Sequence, residues 1–165
     1  MQETRVSWDE RLDALWKSLD DLEPHDFIAR IDAMAAELPA GDAIGVFERA
    51  CARDSTGHPD LAVPLYQAAL DKGLSGIRRR RAVIQMSSSI RNLGDPQRAV
   101  ELLTEELKQP PDELEQAVRA FLALALADIG REREALAVSL TALSRYLPRY
   151  NRSLARYAEG LEDPS

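Results

Sequence analysis

Apolar residues recur at intervals of three and four positions along most of the chain, which is the spacing of amphipathic helices. Two early runs of this kind cover residues 8–22 and 27–38. Ser7 begins the first run with a residue type that caps a helix N-terminus, and Pro24 ends it. Because the link between the two runs is short, we expect an antiparallel helical hairpin over residues 7–40.

Three later segments share one pattern of small and aliphatic residues. Each begins with Gly, has Ala five positions later, and has Leu at its fourteenth position. These glycines and alanines are Gly57 with Ala62, Gly94 with Ala99, and Gly130 with Ala135. The glycines lie 37 and 36 residues apart, a period typical of repeated helical hairpins. The pattern predicts repeats over residues 42–75, 76–111 and 112–148, followed by a last helix over residues 148–161.

The sequence also predicts particular features of three individual helices. Pro64 falls inside the second helix of the first repeat, where it removes a hydrogen bond, so we expect a bend there. The first helix of the third repeat, residues 113–129, is apolar nearly all round. Its groove-facing side must be covered by the last helix, a partner or a second copy, and consists of Ala117, Ala120, Phe121, Leu124 and Asp128. The last helix carries an apolar stripe and is expected to cover the exposed end of the stack. That stripe is Tyr150, Leu154, Tyr157, Ala158 and Leu161.

The composition agrees with an all-helical protein. The chain has 165 residues, enough for a substantial core, and contains only 8 Gly and 9 Pro. We therefore expect a single all-α domain over residues 1–165. About nine antiparallel helices would stack into a curved, right-handed α-α superhelix without strands.

The recurring residues have structural explanations. The glycines lie at the turn inside each hairpin, where a positive φ or a close approach of helices favours Gly. The alanines lie where two helices cross, because a larger side chain would separate them. A further small residue stands seven positions before each glycine, and these are Ala50, Ser87 and Ala123. All of these positions are predicted to serve packing.

This pattern resembles the tetratricopeptide repeat (TPR) family, and within it the group 5 subset. The match covers residues 42–148 well and the N-terminal hairpin weakly. The chain also departs from the family's pattern: Glu106 replaces the second Ala of repeat two, and Ser139 takes the aromatic position of repeat three. The large aromatic residue expected early in each first helix is absent, and the repeat period is two or three residues longer than the family's. The resemblance implies a concave groove, lined by the first helix of each repeat, that holds an extended or helical peptide.

The middle repeat offers the clearest candidate contacts for such a groove. Polar residues spaced by three or four form one face of its first helix, and Arg91 flanks them. The candidates there are Arg78, Arg81, Gln85, Ser88, Arg91 and Asn92, and the equivalent positions of repeat one give Glu48, Cys51 and Asp54. Donors in such a row could bind a peptide carboxylate or acidic side chains. The alternative is an ordinary solvated helix face.

The run of four arginines from Arg78 to Arg81 has three possible explanations. The net charge is −7, and residues 1–60 hold 14 acidic and six basic residues, so ion pairs with the N-terminal half are the plainest explanation. A site for an anion or an acidic peptide is the second, and RNA is the third. The acidic chain overall argues against nucleic acid as a partner.

The sequence offers little for catalysis or for cofactors. His25, His58 and Cys51 are too few and too separated for a zinc site, and no phosphate-binding loop or nucleophile elbow occurs. We expect no enzyme activity, no metal and no cofactor. No membrane-spanning run or export signal is found, and one Cys suits a reducing compartment, so we expect a cytoplasmic protein.

These observations favour a non-enzymatic scaffold or adaptor that binds a protein or peptide segment in a groove between helical hairpins. The alternative is a homodimerising structural module that uses the apolar third repeat and the last helix. The sequence does not identify the partner.

Overall fold

The computed structural model describes residues 7–162, with the backbone alone for Glu162. Residues 1–6, which bear on the expected absence of an export signal, and residues 163–165 lie outside the described part. Nine α-helices and one short 3₁₀ helix occur within residues 7–162, where no strand is found, and the all-α prediction is confirmed. The helices are α1 (Trp8–Trp16), α2 (Pro24–Ala35), α3 (Ala43–Ser55), α4 (Pro59–Asp71), α5 (Gly76–Asn92), α6 (Pro96–Glu106), α7 (Glu115–Asp128), α8 (Glu132–Ser144) and α9 (Asn151–Glu162).

The chain divides into two compact units, and the boundary falls inside α5. Unit 1 ends at Arg78, and unit 2 begins at Arg79. Unit 1 contains α1 to α4, and unit 2 contains most of α5 together with α6 to α9.

Unit 1 is built from consecutive helices that pack in chain order, α1 on α2, α2 on α3 and α3 on α4. The side chains of Leu12, Phe27 and Ile31 are buried in its core, and the ring of Trp16 meets that of Phe27 edge-to-face at 5.0 Å between centroids. The first helix is shorter than the apolar run predicts. It ends at Trp16, and residues 19–21 form the 3₁₀ helix.

The predicted cap of α1 is present. The backbone N–H of Glu10 donates to Ser7 Oγ at 3.2 Å, and the N–H of Ser7 donates to Glu10 Oε2 at 2.8 Å. These two bonds form a reciprocal capping box, and the hydrogen bonds from Ser7 lower the pKa of Glu10. Pro24, by contrast, is the first residue of α2, a position where the missing N–H costs nothing.

The three repeat glycines close the hairpin turns through one shared backbone motif. Gly57, Gly94 and Gly130 have φ values of 84°, 97° and 76°. In each turn the residue after Gly donates its N–H to the carbonyl five positions earlier, as from His58 to Arg53 at 2.8 Å. A Cβ placed on any of these glycines would meet nothing within 4 Å. The left-handed conformation, and not a close approach of helices, is therefore what favours Gly here.

The repeat alanines lie one turn into the following helices. Ala62, Ala99 and Ala135 are all buried, and each donates its N–H to the residue directly after the repeat glycine, over 2.9 to 3.3 Å. Ala50 and Ala123, seven residues before a glycine, are buried as well. Small side chains at these sites let neighbouring helices pack closely.

Helices α4 and α9 contain the internal proline and the last apolar stripe that the sequence predicts. The α4 helix continues through Pro64, whose side chain is exposed. The tyrosines of the expected α9 stripe are not in the contact with α8, because Tyr150 and Tyr157 are 77% and 65% exposed. That expectation was wrong for two reasons. Helix α9 begins only after Tyr150, and Tyr157 lies about 60° around the helix from Leu154.

Unit 2 packs α6 on α7, α7 on α8 and α8 on α9. Its core includes Leu103, Val118 and Leu126, all nearly inaccessible to solvent. The α9 helix lies against α8, and Leu124 on the predicted groove side of α7 remains 47% exposed. The last helix therefore does not bury this part of α7.

Candidate functional site

The polar row predicted on α5 lies on a continuous helix. Arg81, Gln85, Ser88 and Asn92 follow one another at steps of four, three and four within Gly76–Asn92, so they share one helix face. The first three are half-buried and Asn92 is exposed. Arg81 and Gln85 also interact with other residues of the chain. The row is thus partly engaged within the fold and partly accessible.

Arg91 fixes the end of α5 to the end of α7. Its Nε lies 2.5 Å from Asp128 Oδ2, and its Nη2 lies 3.3 Å from Asp128 Oδ1. This two-point pairing holds both partners in one geometry. Asp128 is the last residue of α7, where the helix dipole disfavours an acid, and the guanidinium offsets that cost. Exposed residues of α7 with small or apolar side chains, Ala120 and Leu124, belong to the side predicted to face the groove.

Two candidates from repeat one lie in the core. Glu48 is 2% exposed and Cys51 is 1% exposed. The indole Nε1 of Trp16 donates to Glu48 Oε2 at 2.9 Å, so the N-terminal hairpin covers this carboxylate. A partner cannot reach either side chain in this arrangement, and their expected place on an open groove is corrected accordingly.

Asp54, the third candidate of repeat one, is half-buried and receives a hydrogen bond from inside the fold. The hydroxyl of Tyr66 donates to Asp54 Oδ2 at 3.0 Å. Tyr66 is fully buried, and this burial, with smaller contributions from Cys51 and Asp54, raises the pKa of its phenol. The pair fastens α4 to α3.

The first arginine of the run pairs with the acidic N-terminal part of the chain. Arg78 Nη2 lies 2.8 Å from Asp9 Oδ1, and its Nε lies 3.6 Å from Glu48 Oε1. These contacts match the plainest of the three explanations considered for the run.

The next two arginines form a buried ionic cluster with Glu106. This carboxylate is 2% exposed and accepts from Arg79 Nη1 at 2.7 and 2.8 Å and from Arg80 Nε at 3.0 Å. Arg80, itself 4% exposed, donates further to Asp112 at 2.9 Å and to the Pro110 carbonyl at 3.0 Å. Every charge in the cluster has a close partner, which is what a buried ion needs.

The sequence contained a signal for this cluster that the predictions did not use. Glu106 stands where the family's pattern has a small residue, and the arginine run lies in the same repeat. An acid at a packing position requires a compensating cation, and Arg79 and Arg80 supply it. The departure from the pattern and the two middle arginines of the run therefore have one explanation.

Unit 1 also contains two open pockets that sequence reasoning did not find. One, of about 340 Å³, lies at the α2–α3 connection around Pro39 and Gly45. The other, of about 500 Å³, lies between the apolar side chains Leu61 and Leu65 of α4 and a charged wall. In that wall Arg53 forms two 2.8 Å bonds to the carboxylate of Asp32, which raise the pKa of Arg53.

Within residues 7–162, no three side chains of His, Cys, Asp or Glu come together as ligands of a metal ion would. Nor does any helix of the described part have the length and apolar character needed to cross a membrane.

Comparison with known proteins identifies a family. The family model described as Tetratrico peptide repeat, group 5, matches residues 43–161. No curated protein and no solved structure matches the chain. The matched segment begins with α3 and ends in α9, and it contains all three glycine turns. Repeats of this kind are protein-interaction modules. The chain therefore belongs to the Tetratrico peptide repeat family.

Proposed function

We propose that this protein is a non-enzymatic scaffold or adaptor that binds a peptide or protein segment on the α5–α7 face of unit 2. The polar row of α5, together with the exposed α7 residues Ala120 and Leu124, is the observation that carries the proposal. A surface that combines hydrogen-bond donors with apolar side chains suits a peptide. The peptide's polar groups can accept the hydrogen bonds while its apolar side chains pack on the apolar residues.

The chemistry of this face indicates what it binds. Arg81 offers a guanidinium, and Gln85 and Ser88 offer neutral donors and acceptors beside it. Leu124 offers an apolar contact that is 47% exposed. The proposed ligand is a segment with a carboxylate or amide group next to an aliphatic side chain, in an extended or helical conformation.

The test compares the full-length protein with a double variant, Arg81→Glu with Leu124→Asp, as baits for affinity capture and mass spectrometry. We expect the variant to lose proteins that the wild type enriches. The matched control is Arg98→Glu with Leu61→Asp, which changes the same residue types on α6 and α4, where Leu61 is 51% exposed. Identical enrichment by all three baits would remove the basis for this assignment.

A homodimer is the second candidate. Leu136 and Leu143 are seven residues apart on α8, and they are 49% and 48% exposed. A pair of exposed leucines on one helix face favours burial by another chain. Light scattering across a concentration series measures the mass directly. Constant monomer mass at high concentration would exclude the dimer.

A cytoplasmic location forms part of the proposal. Cys51 is the only cysteine and is buried, so the chain cannot form an internal disulfide and offers no exposed thiol for one with another chain.

A further inference from the structure

The connection between α8 and α9, with the first half of α9, has an unusual composition. Residues 145–158 contain four arginines and three tyrosines but no Asp or Glu. All seven side chains are exposed: Arg145, Tyr146, Arg149, Tyr150, Arg152, Arg156 and Tyr157. They are called the Arg–Tyr patch below. Three of the chain's 4 tyrosines are here, and they are 65% to 77% exposed.

The arginines of the patch have no evident role in folding. Within the described part of the chain, no carboxylate lies within ion-pair distance of these four guanidiniums, whereas Arg78, Arg79, Arg80 and Arg91 all have acidic partners. Arg149 and Arg152 also flank the first residue of α9, at the helix end whose dipole disfavours positive charge. These cations would be stabilised by a negatively charged partner.

The tyrosines likewise contribute little packing to the fold. Their rings stand largely in water, away from the contact that Leu154 and Ala158 of α9 provide. Tyr150 has a φ of 65°, a left-handed conformation that a bulky residue rarely adopts and that Gly or Asn would adopt at lower cost. An exposed aromatic residue held in a strained conformation indicates a role other than packing.

The helix brings the two residue types together. Arg152 and Arg156 are four residues apart and share the exposed face of α9. The guanidinium of Arg156 lies over the ring of Tyr157, 5.4 Å from its centroid. An acid and an apolar side chain of one ligand can therefore contact the patch at the same time.

We propose that the Arg–Tyr patch is a second docking surface, separate from the α5–α7 face, and that it binds an acidic segment of a partner protein. Carboxylates of that segment would pair with the arginines, and its apolar side chains would pack on the tyrosine rings. Arg and Tyr are among the residue types that contribute most binding energy in protein interfaces.

Charge favours a protein ligand over a nucleic acid. Residues 79–165 contain 13 basic and 13 acidic residues, and the whole chain has a net charge of −7. No excess of positive charge in unit 2 extends beyond the patch to follow a phosphate backbone. A short acidic segment needs only the four arginines.

The test measures fluorescence anisotropy of a fluorescein-labelled peptide in which Glu alternates with Leu, titrated with the full-length protein. In the variant Arg152→Glu with Arg156→Glu we expect binding to weaken by about tenfold or more. The control Arg98→Glu with Lys108→Glu makes the same change in net charge at exposed positions of α6 and its C-terminal end, and should bind like the wild type. An acid at position 152 lies in the first turn of α9, where the helix dipole favours it, so far-UV circular dichroism should show the helix retained.

The variant Tyr150→Gly separates binding from folding. Removing the strained side chain should raise the melting temperature and weaken peptide binding at the same time. A Tyr150 that takes no part in binding would give the first change without the second, which would overturn its part in the surface.

Three further outcomes would overturn the proposal. One is no saturable binding of the peptide to the wild type, and another is equal binding by the Arg152/Arg156 variant and its control. The third is evidence that the patch binds something other than an acidic peptide. Such evidence would be a polyuridine oligonucleotide that binds more tightly than the peptide, or self-association that the Arg152/Arg156 variant abolishes.

The Arg81→Glu with Leu124→Asp variant distinguishes the patch from the α5–α7 face. Peptide binding that survives in this variant supports the patch. Loss of binding there would assign the peptide to the α5–α7 face and overturn the separate surface.

Discussion

At the scale of single residues, one of the three small positions before the hairpin turns carries a polar atom. Ala50, Ser87 and Ala123 occupy equivalent places in the three repeats, and Ser87 is fully buried. Its Oγ has no hydrogen-bond partner among the described residues. A buried hydroxyl without a partner lowers stability, since it loses its bonds to water on folding.

Ser87→Ala should therefore raise the free energy of unfolding by about 1 kcal/mol, because it removes the unpartnered group at a position where the other repeats have Ala. Urea denaturation followed by circular dichroism measures the change. The reciprocal variant Ala50→Ser should lower stability by a similar amount. A less stable Ser87→Ala protein would show that the hydroxyl has a partner.

Tyr66 makes stability depend on pH in the alkaline range. Its pKa in the folded protein is raised above the ordinary 10.0, so this contribution is complete below pH 10 and is lost as pH rises towards the folded value. Tyr66→Phe should cost about 1 kcal/mol at neutral pH, since the hydrogen bond to Asp54 is lost. Its stability should also fall less steeply than that of the wild type above pH 10. Denaturation at a series of pH values tests this, and parallel curves would contradict it.

At the scale of helices and turns, much of the fold could be predicted because the signals are local. The glycine turns and the Ser7 cap depend on neighbouring residues, and both were predicted correctly. The burial of Glu48 could not be read from its own helix, since Trp16, 32 residues earlier, covers it. The exposure of Tyr157 was missed for a related reason. Helical spacing gives the face of a residue but not the width of the contact made by the neighbouring helix.

Replacing Gly94 by Ala should lower the free energy of unfolding by about 1 kcal/mol or more, because φ is 97° at that residue. A Cβ there meets nothing within 4 Å, so the cost lies in the backbone, and Gly94→Asn should cost less. The matched control is Gly160→Ala within α9, whose Cβ also meets nothing and whose φ is not positive. It should stabilise the protein by roughly 0.5–1 kcal/mol. Equal effects at both sites would contradict the assigned role of the turn.

At the scale of the whole molecule, charge is distributed unevenly along the chain. Residues 1–78 contain 15 acidic and eight basic residues, while residues 79–165 contain 13 of each. Four acids of unit 1 lie close together in sequence and are exposed, namely Asp20, Asp21, Glu23 and Asp26. Repulsion among exposed charges is reduced by salt, which screens over about 10 Å at 0.1 M.

Raising the ionic strength from about 0.01 M to about 0.15 M should therefore protect the amides of unit 1 from hydrogen exchange more than those of unit 2. Exposed ion pairs weakened by salt contribute little in comparison. Exchange measured by mass spectrometry resolves the two units. The variant Asp20→Asn, Asp21→Asn and Glu23→Gln should show a smaller response to salt. Equal protection of both units would contradict this explanation.

The buried cluster around Glu106 restricts the order in which this repeat can evolve. A change of Glu106 alone to the family's usual Ala would remove three hydrogen bonds at once. Arg79 would lose its carboxylate partner, and Arg80, which is 4% exposed, would keep only Asp112 and the Pro110 carbonyl. Breaking a buried pair costs up to about 3–5 kcal/mol when it leaves a charge uncompensated, and the remaining bonds of Arg80 reduce that cost. Even a part of it is a large share of the roughly 5–15 kcal/mol that keeps a typical domain folded. Loss of Arg80 first is less harmful, because Arg79 still holds Glu106 through two hydrogen bonds. The less costly order is therefore a substitution at position 80 before one at position 106. We expect substitutions at positions 80 and 106 to occur together in related sequences.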